Sequence, residues 1–131
     1  MNANKAQKNY EQLGAALVRL AEIIALPVDH VGRTDAVIQR FEFVIELFWK
    51  TFKHALEDKG IVVQTPRDAV AGAYQATWID DETVWISMLK DRNLSSHTYN
   101  ETLAAEILSR IVTYLPTLQF AHRSLPQKAK L

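Results

Sequence analysis

The segment from Thr34 to Lys59 is apolar around most of the circumference that an α-helix would present. Its apolar residues fall at helical spacing into two adjacent stripes, Val37, Phe41, Val44, Phe48 and Phe52 in one and Ile38, Ile45, Trp49 and Leu56 in the other. A helix of this kind must be buried on more than one side. Gly60, followed by Ile61, is placed to end it in the left-handed conformation, as in a Schellman cap.

Two arrangements would bury so much apolar surface. The other helices of the chain can surround this second helix, or part of it can meet a second copy of the chain. Phe43 and Leu47 lie outside both stripes, and monomers rarely expose large apolar patches. The pattern therefore favours self-association, with enclosure by the chain's own helices as the alternative.

Further helices are predicted on both sides of this segment. The first runs from about Lys5 to Ala25, where Tyr10, Leu13, Leu17, Leu20 and Ile24 form one face. The third begins at Thr65, a Thr N-cap followed by Pro at the first helical position. The fourth is capped by Asp80 or Asp81 and continues to Arg92.

The fifth helix is expected to begin near Thr98, with Asn100 as the competing N-cap. Pro116 should kink it or start a new short helix, because proline has no backbone N–H for the hydrogen-bond ladder. The residues from about 124 to 131 are expected to form a frayed tail. The predicted fold is all-α: one domain over residues 1–131, built as an up-and-down bundle of four to five helices.

Composition narrows the function classes. The chain has 131 residues with 15 basic and 15 acidic side chains, so its charge gives no support for general nucleic-acid binding. It contains no Cys, which excludes disulfides and thiolate metal sites and fits a reducing compartment. Neither a secretory signal nor a membrane span is visible, so we expect a cytoplasmic protein that does not contact membranes.

The sequence lacks the motifs of several common classes of enzyme and binding protein. The four histidines show neither a His-Glu-x-x-His nor a Glu-x-x-His pattern. The four glycines form no phosphate-binding loop, and no Gly-x-Ser-x-Gly elbow is present. We therefore expect no metal and no cofactor.

The segment Arg92–Tyr99 is the strongest candidate for a functional site. Arg92 falls on the same helical face as Trp85 and Met88, which is predicted to be buried. A charge on such a face needs either an ion-pair partner or a cleft that is open to solvent. His97 can converge with it only if the helix ends between them, and Ser95-Ser96 supplies such an ending. Tyr99 would then project to the same side as His97, beside a helix N-terminus that favours anions.

A structural interpretation of the same residues stays open. Arg92 can simply pair with Asp91 or Glu101, and a histidine at a helix junction is often only a hydrogen-bonding loop residue. Glu42 and Glu46 lie on a polar strip of the second helix, which is typical of a solvated face. Alternatively, either glutamate orients Arg92 or His97 across a cleft, with Asn93 and Ser96 as possible supporting residues.

The pattern Arg-x4-His-x-Tyr, here Arg92, His97 and Tyr99, resembles the signature of HEPN-domain proteins of the HepT type. Three more segments resemble that family at consistent spacing, namely 40–51, 65–68 and 85–93. Together they cover roughly Arg40 to Leu115. The first helix and the tail are less diagnostic.

This resemblance implies a helical homodimer encoded beside a minimal nucleotidyltransferase. It implies a toxin that cleaves RNA without metal, with His97 as general base and Arg92 on the phosphate, and an antitoxin that inhibits it by adding AMP to Tyr99. The alternative is a non-catalytic subunit that binds a substrate or nucleotide for the nucleotidyltransferase. A purely structural dimerising bundle is a third possibility.

Overall fold

A computed structural model describes residues 2–97 and 100–131, except for the side chains of residues 2–4 and of His97. Within these residues the chain is helical and contains no strand, as the sequence predicts. The helices are α1 (Asn2–Ile24), α2 (Arg33–Glu57), α3 (Pro66–Gln75), α4 (Glu82–Leu94), a 3₁₀ helix (Ser95–His97) and α5 (Glu101–Ala129). Nowhere in this part of the chain is a helix long and apolar enough to cross a membrane.

Helix α2 lies at the centre of the bundle and contacts α1, α3, α4 and α5. Nearly all of its two apolar stripes lie in the core, where Val37, Phe41, Val44 and Leu56 are completely enclosed. The chain's own helices therefore surround α2, which is the alternative to burial by a second copy. Phe43 remains 57% exposed. Burial of α2 does not require a dimer, and self-association stays a prediction.

The predicted helix ends are mostly confirmed by their hydrogen bonds. After α2, Gly60 has φ 81°, and the N–H of Ile61 donates to the Leu56 carbonyl at 3.0 Å, the long hydrogen bond of a Schellman cap. The Thr65 hydroxyl accepts from the Asp68 N–H at 3.1 Å at the start of α3. Asp81 caps α4 by accepting from the Val84 N–H.

Helix α5 begins at one of its two predicted N-caps but extends further at its C-terminal end than predicted. Its N-cap is Asn100, whose side chain accepts from the Leu103 N–H at 3.1 Å; the alternative cap, Thr98, lies outside the described residues. The helix continues through Pro116 to Ala129, so of the two outcomes expected at the proline a new short helix is not the one observed. Buried residues before and after the proline, Ile111 and Leu118, hold both parts against the core.

The expected frayed tail from about residue 124 is wrong for the same reason. Leu125 and Ala129 are each 1% exposed, so the last turns of α5 bury an apolar face. The Lys59 ammonium also donates to the Ala129 carbonyl at 2.9 Å. This bond ties the end of α5 to the turn that follows α2.

Candidate functional site

The candidate site lies where the last turn of α4 crosses the middle of α2. Helix α4 ends at Leu94 and the 3₁₀ helix Ser95–His97 follows, so the predicted break after Arg92 is present. The backbone of His97 belongs to this 3₁₀ helix, but its side chain and the whole of Tyr99 lie outside the described residues. The convergence of Arg92, His97 and Tyr99 therefore stays a prediction.

Arg92 pairs with Glu46, one of the two glutamates of α2 considered as its partner across a cleft, and not with the nearby Asp91 or Glu101. Its Nη2 donates to Glu46 Oε2 at 2.8 Å, and the two side chains are 38% and 31% exposed. Among the described residues, Arg92 Nε is buried without a hydrogen-bond partner. The guanidinium is thus bound to Glu46 through Nη2, whereas the N–H of Nε makes no hydrogen bond with these residues.

The Glu46 carboxylate has two hydrogen-bond or ion-pair partners in addition to Arg92. The Trp49 indole donates to Oε2 at 3.0 Å, and the Lys50 ammonium lies 3.5 Å from Oε1. Burial alone would raise the pKa of Glu46, but the Trp49 hydrogen bond together with Arg92 and Lys50 outweighs burial and lowers it. Glu46 is therefore a stable anion at neutral pH, suited to holding a guanidinium in place.

Glu42 makes a second link between α2 and the break. Its carboxylate accepts a short hydrogen bond from the Ser95 hydroxyl, which also lies 2.6 Å from the Arg92 carbonyl. The hydroxyl has one hydrogen and can donate to only one of these acceptors at a time. Ser95 is buried, whereas Ser96, the serine singled out from sequence, is exposed and donates to the Asn93 carbonyl at 3.1 Å.

These residues surround an open cleft of about 450 Å³, which we call the α2–α4 cleft. Its lining consists of Glu42, Phe43, Glu46, Arg92, Asn93 and Ser96. All four residues that the sequence marked as possibly supporting, together with Arg92, thus line one cavity. A larger hollow of about 660 Å³ is lined by residues of α5 alone among those that the structure describes, so within this part of the chain it brings together no side chains from different elements.

Sequence reasoning missed a polar cluster beside the site. Asp91 is 3% exposed and accepts from Arg110 at two positions, Nε at 2.9 Å and Nη2 at 2.8 Å. The Tyr114 hydroxyl donates to the same carboxylate at 2.6 Å. The available signal was the position of Asp91 three residues after Met88, on the buried face of α4.

The Asp91 cluster shifts the titration of both its partners. Burial and the neighbouring Asp91 carboxylate raise the pKa of Tyr114, so this phenol stays a hydrogen-bond donor throughout the neutral range. The hydrogen bonds to Asp91 likewise raise the pKa of Arg110. The cluster joins α4 to α5 through Asp91, the residue that precedes Arg92 in the sequence.

Comparison with known proteins matches nearly the whole chain. The family model described as nucleotidyltransferase substrate binding protein like matches residues 8–127. The probable ribonuclease HepT of Haemophilus influenzae is 30% identical over 96 residues, which are 70% of this chain and 66% of that protein. The match thus spans just under two thirds of that relative.

Two solved structures share the fold over almost their full length. A protein from Thermus thermophilus is 30% identical with a TM-score of 0.77, covering 91% of this chain and 99% of that one. A Haemophilus influenzae protein is 25% identical with a TM-score of 0.68, covering 95% and 98%. The second was described as revealing the fold of a substrate binding domain of a nucleotidyltransferase. The chain therefore belongs to the nucleotidyltransferase substrate-binding-protein-like family, as a protein of the HepT type.

Proposed function

We propose that this protein is a metal-independent endoribonuclease, the toxin of a toxin–antitoxin pair whose antitoxin is a minimal nucleotidyltransferase. The observation that carries the proposal is the Arg92–Glu46 ion pair at the mouth of the α2–α4 cleft, three residues before the 3₁₀ helix that contains His97. Because Glu46 binds Arg92 at Nη2, the guanidinium still has other N–H groups that can donate hydrogen bonds to a phosphate. The name of the Haemophilus relative, a probable ribonuclease, supports the same reaction.

In the proposed reaction, His97 removes the proton from a ribose 2′-hydroxyl as that oxygen attacks the adjacent phosphorus. Arg92 binds the phosphate and stabilises the additional negative charge of the transition state. The bond from phosphorus to the 5′-oxygen then breaks, and the leaving oxygen takes a proton from an acid or water. The products are a 2′,3′-cyclic phosphate and a 5′-hydroxyl.

Replacement of His97 tests this mechanism. RNA is incubated with wild-type protein, His97→Ala and His30→Ala in the presence of EDTA; His30 is an exposed histidine in the loop between α1 and α2. Because general base catalysis contributes about 10²–10⁴-fold, His97→Ala should lose at least about 100-fold in rate, whereas His30→Ala should match wild type. Equal cleavage by His97→Ala would overturn the proposal.

Regulation in this proposal acts through Tyr99. The nucleotidyltransferase attaches AMP to its phenol oxygen and releases pyrophosphate from ATP, which places a bulky anion next to His97 and Arg92. RNA is then excluded by occupancy and by charge repulsion. Mass spectrometry after incubation with the partner and ATP should find one or more added AMP groups on wild type and none on Tyr99→Phe. AMP addition that leaves cleavage unchanged would contradict this regulation.

A second copy of the chain belongs to the same proposal. Phe43 lines the α2–α4 cleft and is 57% exposed, which supports a neighbour that covers it and adds a second set of site residues. Sedimentation at micromolar concentration should give twice the chain mass for wild type and a lower average mass for Phe43→Ser. A wild-type monomer that cleaves RNA at the full rate would rule out the dimer as the active form.

A non-catalytic subunit that binds a substrate or nucleotide for a nucleotidyltransferase is the second candidate. The specific observation in its favour is that Glu42 and Glu46 place two carboxylates in the same cleft as Arg92, which disfavours a polyanion. The description of the Haemophilus structure as a substrate binding domain agrees with it. Unmodified protein that binds ATP but leaves several RNAs intact would establish this candidate over the ribonuclease.

A further inference from the structure

A second cleft, which shares Arg92 and Asn93 with the α2–α4 cleft, lies between the start of α3 and α4. We call it the α3–α4 cleft; it measures about 370 Å³. Its lining consists of Thr65, Pro66, Arg67, Ile86, Leu89, Lys90, Arg92 and Asn93. Three of these side chains are cationic and none is a carboxylate, in a chain whose formal net charge is zero.

Two of these cations are available to a ligand. Arg67 and Lys90 are exposed, and neither forms an ion pair with any residue that the structure describes. Other cations near the site behave differently, since Arg110 and Arg92 are bound to Asp91 and Glu46. The positive charges of Arg67 and Lys90 are therefore not neutralised by an ion pair within this part of the chain.

The backbone at the start of α3 adds little to this charge. Pro66 has no N–H, and the N–H of Asp68 is already bonded to the Thr65 hydroxyl. The N–H of Ala69 is bonded to the Thr65 carbonyl at 3.0 Å. Most of the attraction for an anion in this cleft must therefore come from the side chains, which makes it testable by substitution.

The two clefts adjoin at α4, where Arg92 and Asn93 line both of them. A chain of phosphates bound at Arg92 can thus extend past it into a cleft with two further free cations. Ile86 and Leu89 provide an apolar surface beside those cations. This combination of cations and apolar surface suits a single-stranded nucleic acid, which presents phosphates and the faces of its bases together.

We propose that the α3–α4 cleft binds RNA nucleotides beyond the two that flank the cleaved bond, with Arg67 and Lys90 on their phosphates and Ile86 and Leu89 against a base or ribose. This inference rests on the proposed ribonuclease function. It assigns to Arg67 and Lys90 a role in substrate binding and none in the chemical step.

Binding of RNA tests the inference separately from cleavage. Fluorescein-labelled oligo(U) and oligo(A) of 12 nucleotides are titrated with His97→Ala protein, alone and combined with Arg67→Ala and Lys90→Ala, over a range of salt concentrations. Each phosphate contact on single strands contributes about 0.7 to the slope of log affinity against log salt. The added double substitution should weaken binding severalfold and reduce the slope by about 1.4.

The matched control removes one Lys and one Arg elsewhere, as Lys8→Ala with Arg19→Ala. Both are exposed residues of α1, and α1 packs on α2 and α5. This control has the same change in net charge and should bind RNA as the His97→Ala parent does. Equal loss in both double variants, or no loss in either, would overturn the inference. Weaker ATP binding with unchanged RNA binding would also overturn it, in favour of a free nucleotide.

Cleavage distinguishes failure of this inference from failure of the proposed function. With His97 intact, Arg67→Ala with Lys90→Ala should lower kcat/KM for the 12-nucleotide RNA severalfold and leave a dinucleotide substrate unaffected, because a dinucleotide does not reach the second cleft. Equal losses on both substrates would contradict a flanking subsite. If RNA binding depends on Arg67 and Lys90 but wild-type protein cleaves no RNA, the binding subsite would be retained and the proposed ribonuclease activity would be rejected.

Discussion

The carboxylate of Glu46 accepts a hydrogen bond from Nη2 of Arg92 at 2.8 Å and so joins the middle of α2 to the last turn of α4. Both groups also belong to the candidate catalytic cleft. The carboxylate orients the guanidinium, but it also carries a negative charge close to the position that a phosphate would occupy. These two effects act in opposite directions on substrate binding and on catalysis.

We therefore expect Glu46→Gln to separate binding from catalysis. Glutamine keeps the size of the side chain but removes the charge, so RNA should bind equally well or more tightly and KM should not rise. The loss of a charge-assisted hydrogen bond leaves Arg92 less well positioned, and kcat should fall about tenfold. Steady-state kinetics with RNA measure both quantities.

The matched control for this substitution is Glu57→Gln, at the end of the same helix. Glu57 lies 3.5 Å from His54 and lines neither of the two clefts. Its replacement should leave kcat and KM at wild-type values. A rise in KM with unchanged kcat in Glu46→Gln would show that Glu46 does not position Arg92 for catalysis.

Removal of the Tyr114 hydroxyl should measure the strength of the buried cluster at Asp91. Tyr114→Phe deletes a donor to a carboxylate that is 4% exposed, and the free energy of unfolding should fall by about 1–2 kcal/mol. Tyr74→Phe is the control, because Tyr74 is 44% exposed. Urea unfolding of both variants provides the comparison, and equal stability would mean that the hydroxyl contributes nothing.

Stability should depend on pH through His122. Its ring stacks on Tyr10 with centroids 4.4 Å apart, and burial lowers its pKa below 6.5. The unfolded chain then binds the proton more readily, so the contribution of the neutral imidazole is complete above about pH 6.5 and is lost as pH falls through the lower folded-state value.

His122→Phe keeps an aromatic ring but removes this titration. The variant should therefore gain stability relative to wild type when pH is lowered from 7.5 to 5.5, as judged by urea midpoints at both values. His30→Phe, at an exposed histidine, should show no such relative gain. A constant difference between His122→Phe and wild type across this pH range would rule out His122 as the group responsible.

The close packing of α3 on α2 depends on Gly72. A Cβ at this position would lie 2.7 Å from Cδ1 of Leu56, which is fully buried. Overpacking costs about 1–3 kcal/mol, whereas replacing Gly by Ala inside a helix stabilises it by about 1 kcal/mol. We expect Gly72→Ala to be destabilising by about 1 kcal/mol in the wild-type background.

The same substitution should become stabilising once Leu56 is shortened. In a Leu56→Ala background the obstructing methyl groups are absent, so only the helix preference for alanine remains. A double-mutant cycle by urea unfolding measures this coupling directly. Additive effects of Gly72→Ala and Leu56→Ala would show that the two side chains do not compete for space.

Local signals along the chain predicted most helix boundaries correctly. The Schellman cap at Gly60 and the N-cap at Thr65 each depend on a few adjacent residues, so their chemistry can be read from the sequence. The tail was misjudged because three of its last five residues, Gln127, Lys128 and Lys130, are polar. Leu125 and Ala129, four positions apart, bury one face that only the neighbouring helices reveal.

The candidate site was less accessible to prediction because its partners are distant in sequence. The acids considered for Arg92 were the nearby Asp91 and Glu101 and, as an alternative, Glu42 or Glu46 across a cleft; the observed partner, Glu46, lies 46 positions earlier. The cluster of Asp91, Arg110 and Tyr114 combines residues 19 and 23 positions apart. Such pairs depend on how the helices pack, which periodicity does not specify.

Asp91 and Arg92 are neighbours in sequence, but they bind different helices. Successive residues of an α-helix point about 100° apart, so one side chain holds α5 and the next holds α2. These two directional interactions, made from adjacent positions to different neighbours, both oppose rotation of α4 about its own axis and sliding along either neighbour. The last turn of α4 is therefore held in a defined orientation relative to α2 and α5, and so is the start of the segment that follows it.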